Sequence, residues 1–148
     1  MVTAKQYLKQ VYDLNREINM ILAKADAMRK SLYGRGIQYN GTGGGAASDS
    51  IAKAIAKVVD YDHDADEAID RLVDLRIEIE QAIKAVADPV QREVLERRYL
   101  MFEPFESGYD KKTGKYIKGI AESMNYSERQ IYRIHGEALL KIHVSECQ

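Results

Sequence analysis

The chain has 148 residues, 45% of them hydrophobic and 30% charged, a balance that excludes wholesale disorder and predicts one or two small folded domains. No apolar run approaches the roughly 20 residues of a membrane span, and the first residues lack the apolar stretch of a signal peptide. The single cysteine, Cys147, excludes a disulfide within the chain, so the sequence predicts a cytoplasmic protein with no membrane partner.

The charges are unevenly distributed along the chain. The formal net charge of −1 excludes the strongly basic balance of many DNA-binding domains. Between Lys111 and Lys141, however, seven lysines and arginines stand against three glutamates, a surplus of four, whereas the stretch from Asp60 to Asp74 is acidic. This pattern is typical of a protein that meets DNA with one end and something else with the other.

Residues 3–33 predict a long first helix, because apolar residues recur at alternating spacings of three and four over about four heptads. These residues are Ala4, Tyr7, Val11, Leu14, Ile18, Ile21, Ala25, Met28 and Leu32. The six glycines of residues 34–48 then predict a flexible connector. A phosphate-binding loop would need a preceding strand and a Lys-Ser/Thr signature, and both are missing here.

A second helix is predicted from a cap at Ser48 or Asp49 to about Ala87. Its stripe again steps by three and four: Ile51, Ile55, Val58, Asp62, Ala65, Ile69, Leu72, Arg76, Ile79, Ile83 and Val86. The two helices are expected to pair as an antiparallel hairpin over residues 1–87. Because Asp62 and Arg76 interrupt the stripe, the middle of the helix is expected to be partly exposed or to face another chain. The N-terminal helices therefore favour a homo-oligomer.

The alternating aspartates of residues 60–67 invite comparison with a calcium-binding loop. Ala65 occupies the position that needs glycine, however, and Arg71 the position that needs glutamate. His63 and Glu67 are one helical turn apart, without an evident third ligand. The sequence therefore predicts a solvated acidic helix face, with no metal and no cofactor.

A third helix is predicted from Pro89 to about Leu100, with Asp88 as its cap and the proline in its first turn. Val94 and Tyr99, among its apolar residues, should pack onto the helices that follow. The polar insertion of residues 103–116 includes Tyr109–Tyr116, which predicts a β-hairpin with a turn at residues 110–114 and a positive φ at Gly114. Its lysines could contact phosphate as a wing does, or form a mobile basic loop, and the sequence does not decide.

The segment Ile117–Ile142 predicts two helices at a steep angle joined by a tight turn, a helix-turn-helix. Asn125 stands at the turn position that needs a positive φ, and Ser127 is expected to cap the second helix. The inner faces of the two helices are apolar: Ile120, Ala121, Met124, Ile131, Ile134, Ala138 and Ile142. The predicted architecture is therefore all-α, with the hairpin followed by a C-terminal trihelical helix-turn-helix unit, residues 88–148.

The outer face of the second helix carries the candidate base-reading side chains. Counted from the cap, these residues are Ser127, Glu128, Arg129, Tyr132, Arg133 and Gly136. Arginine can bond guanine, glutamate can accept from cytosine and tyrosine can touch a thymine methyl group, while glycine lets the helix approach closely. Lys118, His135 and Lys141 are predicted to contact phosphate.

Three stretches, Arg92–Tyr99, Gly119–Ala121 and Ser127–Leu139, resemble the fourth region of bacterial sigma factors, which binds the upstream promoter element. The whole chain is similar to sigma-like regulators encoded by phages and prophages of Gram-positive bacteria, relatives of phage late-gene activators. The resemblance implies sequence-specific binding of double-stranded DNA in transcription regulation, with RNA polymerase as a further partner. The insertion after Tyr99 departs from the family's spacing.

Two other functions are compatible with the sequence. The hairpin could bind RNA polymerase or another chain while the helix-turn-helix only packs, or the protein could recognise DNA during phage packaging. No enzyme is predicted, because His63, His135 and His143 are scattered and no nucleophile shares a site with a base.

Overall fold

The computed structural model describes residues 2–34 and 45–144 of the chain. They form helices and one two-stranded hairpin, which confirms the predicted all-α class with a small β-hairpin. In chain order the elements are α1 (Ala4–Gly34), α2 (Gly45–Lys84), α3 (Pro89–Leu95) with a π-helical turn (Glu96–Leu100), β1 (Gly108–Tyr109), β2 (Tyr116–Ile117), α4 (Ile120–Ser123) and α5 (Glu128–Leu139).

The described residues divide into two compact units. The hairpin unit is Leu14–Val73, and the terminal unit comprises the described residues of Met1–Asp13 and Asp74–Gln148. Both long helices contribute residues to each unit. The predicted domain boundary between residues 87 and 88 stays a prediction.

In the hairpin unit, α1 and α2 run antiparallel, as predicted. Arg71 Nη2 lies 3.7 Å from Glu17 Oε1, and Arg29 of α1 forms an ion pair with Asp62 of α2. A later residue of α1 thus meets an earlier residue of α2, which is the antiparallel arrangement. The side chains buried in this unit are Ile18, Ala25, Val58, Ala65 and Ala68.

The ends of the long helices differ from the sequence prediction. The second helix is already helical at Gly45, so the predicted cap at Ser48 or Asp49 is wrong, and it ends at Lys84 before the predicted Ala87. Local capping preference identified suitable residues but could not show that the helix continues through them. Most of the predicted connector, residues 35–44, lies outside the described residues.

The terminal unit contains the predicted trihelical arrangement, in which α3 and α4 both pack against α5. One cluster of buried residues in this arrangement consists of Val94, Ile120, Ala121 and Ile131. Partly buried Phe105, Met124, Tyr126 and Ile134 pack against them. The predicted start of α3 is confirmed, because the Asp88 carboxylate accepts from the backbone N–H groups of Val90 and Gln91 and Pro89 opens the helix.

A strained residue follows the π-helical turn. Phe102 has a φ of 56°, in the left-handed region that bulky residues rarely adopt. Its ring lies edge-on to Tyr12 at 4.8 Å, and the Arg76 guanidinium lies 5.7 Å from the centre of the ring. Arg76 Nη2 also donates to Leu100 O at 2.8 Å. Arg76 thus interrupts the apolar stripe of α2 because it contacts Leu100 and Phe102 within the unit. The predicted oligomer stays a prediction.

Candidate nucleic-acid interface

The turn between α4 and α5 has the predicted conformation. Asn125 has a φ of 58°, and the backbone N–H of Tyr126 donates to Ala121 O at 2.9 Å across the turn. Asparagine is one of the few residues besides glycine that adopts this backbone at small cost. The turn therefore fixes the direction in which α5 leaves α4.

The first turn of α5 is held by a capping box. The Ser127 hydroxyl accepts from the backbone N–H of Gln130 at 3.2 Å, and Gln130 Oε1 accepts from the backbone N–H of Ser127 at 3.0 Å. Ser127, one of the predicted DNA-contacting residues, thus uses its side chain to begin the helix.

The other five predicted base-reading residues lie together on the exposed outer face of α5. They are Glu128, Arg129, Tyr132, Arg133 and Gly136, hereafter the outer face. With 3.6 residues per turn, this spacing brings them to one side of the helix, away from buried Ile131. Arg129 makes no hydrogen bond or ion pair with any residue that the structure describes. Arg133 Nε lies 4.0 Å from Glu137 Oε1, an exposed pair of the kind that contributes little to stability.

Among the contacts that the structure describes, Tyr132 is the one outer-face side chain that another segment holds. It is 46% exposed, and its hydroxyl donates to Glu106 Oε1 at 2.8 Å while its ring lies 5.1 Å from that of Phe105. The hydrogen bond to the Glu106 carboxylate raises the pKa of the Tyr132 phenol. The sequence did not predict Glu106 in this position. Its carboxylate orients Tyr132 and adds a negative charge at the edge of the outer face.

Two glycines near the site have opposite surroundings. A Cβ on Gly119, just before α4, would lie 2.5 Å from the backbone carbonyl carbon of Glu106 and 2.8 Å from Phe105 O, so packing inside the unit requires glycine there. A Cβ on Gly136 would meet nothing within 4 Å. Because glycine inside a helix costs up to about 1 kcal/mol relative to alanine, Gly136 weakens α5 without any packing reason in the described structure.

The prediction that His135 contacts phosphate is wrong, because this side chain is buried. It is 8% exposed, its Nε2 lies 2.8 Å from the Tyr99 hydroxyl, and its ring stacks on that of Tyr99. Burial lowers the pKa of His135 to about 4 and raises the pKa of Tyr99 to about 12. A neutral buried imidazole cannot attract phosphate, so His135 serves the core of the unit. The other two residues predicted to contact phosphate, Lys118 and Lys141, are exposed.

The predicted β-hairpin is confirmed. Tyr109 pairs with Tyr116 in an antiparallel register, and Gly114 has the predicted positive φ, 68°. Asp110 organises the loop by accepting from the Lys112 backbone N–H at 2.9 Å and from the Thr113 hydroxyl at 3.0 Å. The backbone hydrogen bond from Lys112 is the main reason why the pKa of Asp110 is lowered. The loop presents three exposed lysines, Lys111, Lys112 and Lys115.

The β-hairpin is anchored to α4 through a small polar cluster. The Glu122 carboxylate accepts from the hydroxyls of both Ser107 and Tyr116, and the Ser107 hydroxyl itself accepts from the Gly119 N–H at 2.8 Å. The hydrogen bond from Ser107 is the main reason why the pKa of Glu122 is lowered. The lysine-bearing loop therefore has a defined position relative to the helix-turn-helix, which the sequence alone did not provide.

No protein-family model matches this chain, and neither a curated protein nor a solved structure matches it. Within residues 2–34 and 45–144, no helix has the length and apolar character needed to cross a membrane. In the same ranges no three histidine, cysteine, aspartate or glutamate side chains are grouped so that they could hold a metal ion. His63 Nε2 instead lies 3.2 Å from Glu67 Oε1 on the surface of α2.

Proposed function

We propose that the protein is a sequence-specific regulator of transcription that binds double-stranded DNA through the outer face of α5. The observation that carries this proposal is Gly136. It lies at the C-terminal end of the exposed outer face, it costs helix stability, and no neighbour that the structure describes needs the space that it leaves. A helix that enters the major groove needs such space for its close approach to DNA.

The side chains around Gly136 have the chemistry of base readout. Arg129 and Arg133 are exposed and one turn apart, so each can offer a bidentate pair of donors to guanine O6 and N7. Glu128 can accept from the amino group of cytosine. Tyr132, oriented by Glu106, presents its ring edge to a thymine methyl group or its hydroxyl to a phosphate.

Positively charged residues outside the outer face supply the contacts that position the protein. Lys118 and Lys141 are exposed, and the loop of the β-hairpin adds three lysines in a geometry fixed by Asp110 and by the anchor to α4. We assign the β-hairpin the role of a wing that contacts phosphate. These charges account for binding to DNA of any sequence, whereas the outer face accounts for the preference for one sequence over others.

The resemblance to the fourth sigma region supports promoter DNA as the target and phage or prophage genes as the setting. It also supports RNA polymerase as a second partner in the cytoplasm. The capped turn at Asn125 and Ser127 agrees with this resemblance, because a recognition helix must leave the turn in a fixed direction. The proposed role is regulatory and not enzymatic.

Selection from a pool of random duplexes tests the proposal directly. The purified protein should enrich one sequence family, and titration should show that it binds the enriched duplex at least about a thousandfold more tightly than a scrambled one at physiological salt. Failure to enrich any family would favour the interaction protein without DNA readout. Transcription with purified polymerase on the enriched sequence then separates a regulator from a protein that recognises DNA during packaging.

A further inference from the structure

Two tyrosines of the β-hairpin are the most exposed aromatic side chains that the structure describes in the terminal unit. Tyr109 is 75% and Tyr116 is 51% exposed, whereas Tyr12 and Phe105 are partly buried and Tyr99 is buried. The two tyrosines pair across the strands, and their rings meet edge-on with centroids 5.2 Å apart. An aromatic pair that its own unit leaves in water is a candidate for contact with another molecule.

The fold uses only part of these two rings. The Tyr116 hydroxyl donates to the Glu122 carboxylate, which fixes the position of this ring relative to α4. Tyr109 packs on Tyr116 through a cross-strand contact of the kind that stabilises hairpins. This contact still leaves 75% of Tyr109 exposed. The pair therefore presents an open aromatic surface in a defined position.

Positive charge accompanies the two rings along the chain. Residues 108–118 carry four lysines against one aspartate, a surplus of three. One lysine follows Tyr109 by two residues, and another directly precedes Tyr116. The Asp110 carboxylate accepts hydrogen bonds from the loop itself, so it serves the shape of the loop. The four lysines are all exposed: Lys111, Lys112, Lys115 and Lys118.

Open aromatic rings among lysines match the chemistry of a single strand of nucleic acid. Each unpaired base offers a flat face that stacks on an aromatic ring, and lysines can bind the phosphates on either side of that base. In a duplex the neighbouring base pairs cover these faces, so that a protein meets base edges and phosphates instead. The lysines alone suit either form of nucleic acid, whereas the open rings favour the single strand.

We propose that the β-hairpin is a binding site for single-stranded nucleic acid. An unpaired base stacks on the exposed ring of Tyr109, Tyr116 supports that ring, and the four lysines bind the flanking phosphates. This inference adds to the phosphate contacts proposed above for the β-hairpin, and it does not require α5 to read a duplex sequence. Because Glu122 anchors the β-hairpin to α4, the bound strand lies beside the helix-turn-helix.

Fluorescence anisotropy of the full chain with labelled strands of about 12 nucleotides provides the first test. The strands are oligothymidine, oligouridine and an abasic strand with the same number of phosphates. At least one of the two base-bearing strands should bind about fivefold or more tightly than the abasic strand, because only they have bases to stack. The preferred strand identifies DNA or RNA as the source of the ligand. Equal affinity for all three strands would overturn the proposal, since charge alone would then explain the binding.

Tyr109→Trp gives a direct signal of stacking, because the chain has no tryptophan of its own. Tryptophan suits a strand position and offers a larger ring, so this variant should bind the preferred strand at least as tightly as wild type does. Its emission should be quenched by the preferred strand and not by the abasic strand. Emission that both strands change equally at saturation would contradict stacking at this position.

Removing the ring should have the opposite effect. Tyr109→Leu keeps an apolar side chain beside Tyr116 but has no aromatic face, so it should weaken binding to the preferred strand about fivefold or more. Tyr109→Phe keeps the ring and should bind as wild type does. Tyr33→Leu is the matched control, because Tyr33 is 77% exposed and lies near the end of α1. Equal affinities of the Tyr109→Leu and Tyr33→Leu variants would overturn the proposal.

The salt dependence of binding separates the lysines from the rings. Lys112→Ala should reduce the salt slope for the preferred strand by about 0.7, the value for one phosphate contact on a single strand. Tyr109→Leu should keep the wild-type salt slope, because its lysines remain in place. A Tyr109→Leu variant that loses both affinity and salt slope would show that the substitution disrupts the loop, and the Tyr109→Trp emission then decides whether the ring stacks.

Single-strand binding and duplex reading should also separate under mutation. Arg129→Ala should leave the affinity for the preferred strand unchanged, and Tyr109→Leu should leave the preference among duplexes unchanged. Loss of single-strand binding in Arg129→Ala would place that site on α5 and overturn this inference. A protein that enriches no duplex but binds the preferred strand through Tyr109 would overturn the proposed function and leave this inference standing.

Discussion

The inner face of α5 is mostly apolar and its outer face is mostly charged, and the two faces are subject to different constraints. On the inner face, Ile131 and His135 are buried, and the one polar group has a partner in Tyr99. On the outer face, Arg129 has no described partner, and Gly136 leaves space that no described residue fills. A residue that its own fold does not explain is the best candidate for contact with another molecule.

The strongest test of the inner face is its response to pH. His135 has a pKa of about 4 in the folded chain against about 6.5 when unfolded, so the unfolded state binds more protons between these values. Stability contributed by the neutral imidazole is complete above pH 6.5 and is lost as the pH falls through 4. The shift corresponds to about 3 kcal/mol of unfolding free energy.

Urea unfolding of wild type and His135→Gln at pH 7 and pH 4 measures the contribution of neutral His135 to the unfolding free energy. Glutamine can still hydrogen-bond the Tyr99 hydroxyl but does not titrate, so the variant should lose less stability between the two pH values. Every other group is the same in both proteins, so its contribution cancels in the comparison. The same pH dependence in the two proteins would mean that His135 is not kept neutral by burial.

Gly119 provides the contrast to Gly136. Gly119→Ala should lower the unfolding free energy by about 2 kcal/mol, because the methyl group would overlap the backbone at Phe105 and Glu106. The strain should also disturb the Ser107 contact to the Gly119 N–H and thereby the anchor of the β-hairpin. Thermal unfolding checks the prediction, and an alanine variant as stable as wild type would contradict the close approach at this point.

On the outer face, base contacts and phosphate contacts should separate under mutation. If Arg129 bonds a guanine, Arg129→Ala should weaken binding to the selected duplex by about 1–3 kcal/mol and change binding to a scrambled duplex much less. Lys118→Ala should weaken both alike and reduce the salt slope by about one charge. Titrations of both variants at several salt concentrations check this. If Arg129→Ala and Arg133→Ala both keep the wild-type preference for the selected duplex, the base-reading surface is not the outer face of α5.

How far the sequence predicted these faces depended on whether a feature was local. The cap at Asp88, the positive φ of Asn125 and the capping role of Ser127 follow from residues a few positions apart, and all were predicted correctly. The outer face followed from helical spacing. These features need no knowledge of the rest of the chain.

The contacts that the sequence missed join distant segments. Tyr99 meets His135 across 36 positions, and Tyr132 meets Glu106 across 26. From the sequence alone, a histidine beside an apolar stripe cannot be distinguished from an exposed basic residue, because the partner that buries it is distant in the chain. In the same way, the apolar spacing of α2 could not distinguish buried Ala65 from half-exposed Ile55, because both belong to one periodic pattern.

The smallest expected effect is also the most specific test of the difference between the faces. Gly136→Ala should raise the unfolding free energy by up to about 1 kcal/mol, since alanine is the better helix former and its methyl group meets no described atom within 4 Å apart from its chain neighbours and its own helix backbone. On the proposed reading face the same methyl group points toward DNA. Binding to the selected duplex should therefore weaken although the protein is more stable.

A graded series strengthens this test. Gly136→Leu should also be at least as stable as wild type, because open space surrounds the position, yet it should weaken DNA binding more than alanine does. Thermal unfolding and duplex titration of wild type, alanine and leucine variants give the two trends side by side. A series in which stability rises and binding stays constant would show that α5 does not approach DNA at Gly136, since a leucine side chain could not be accommodated at a close contact.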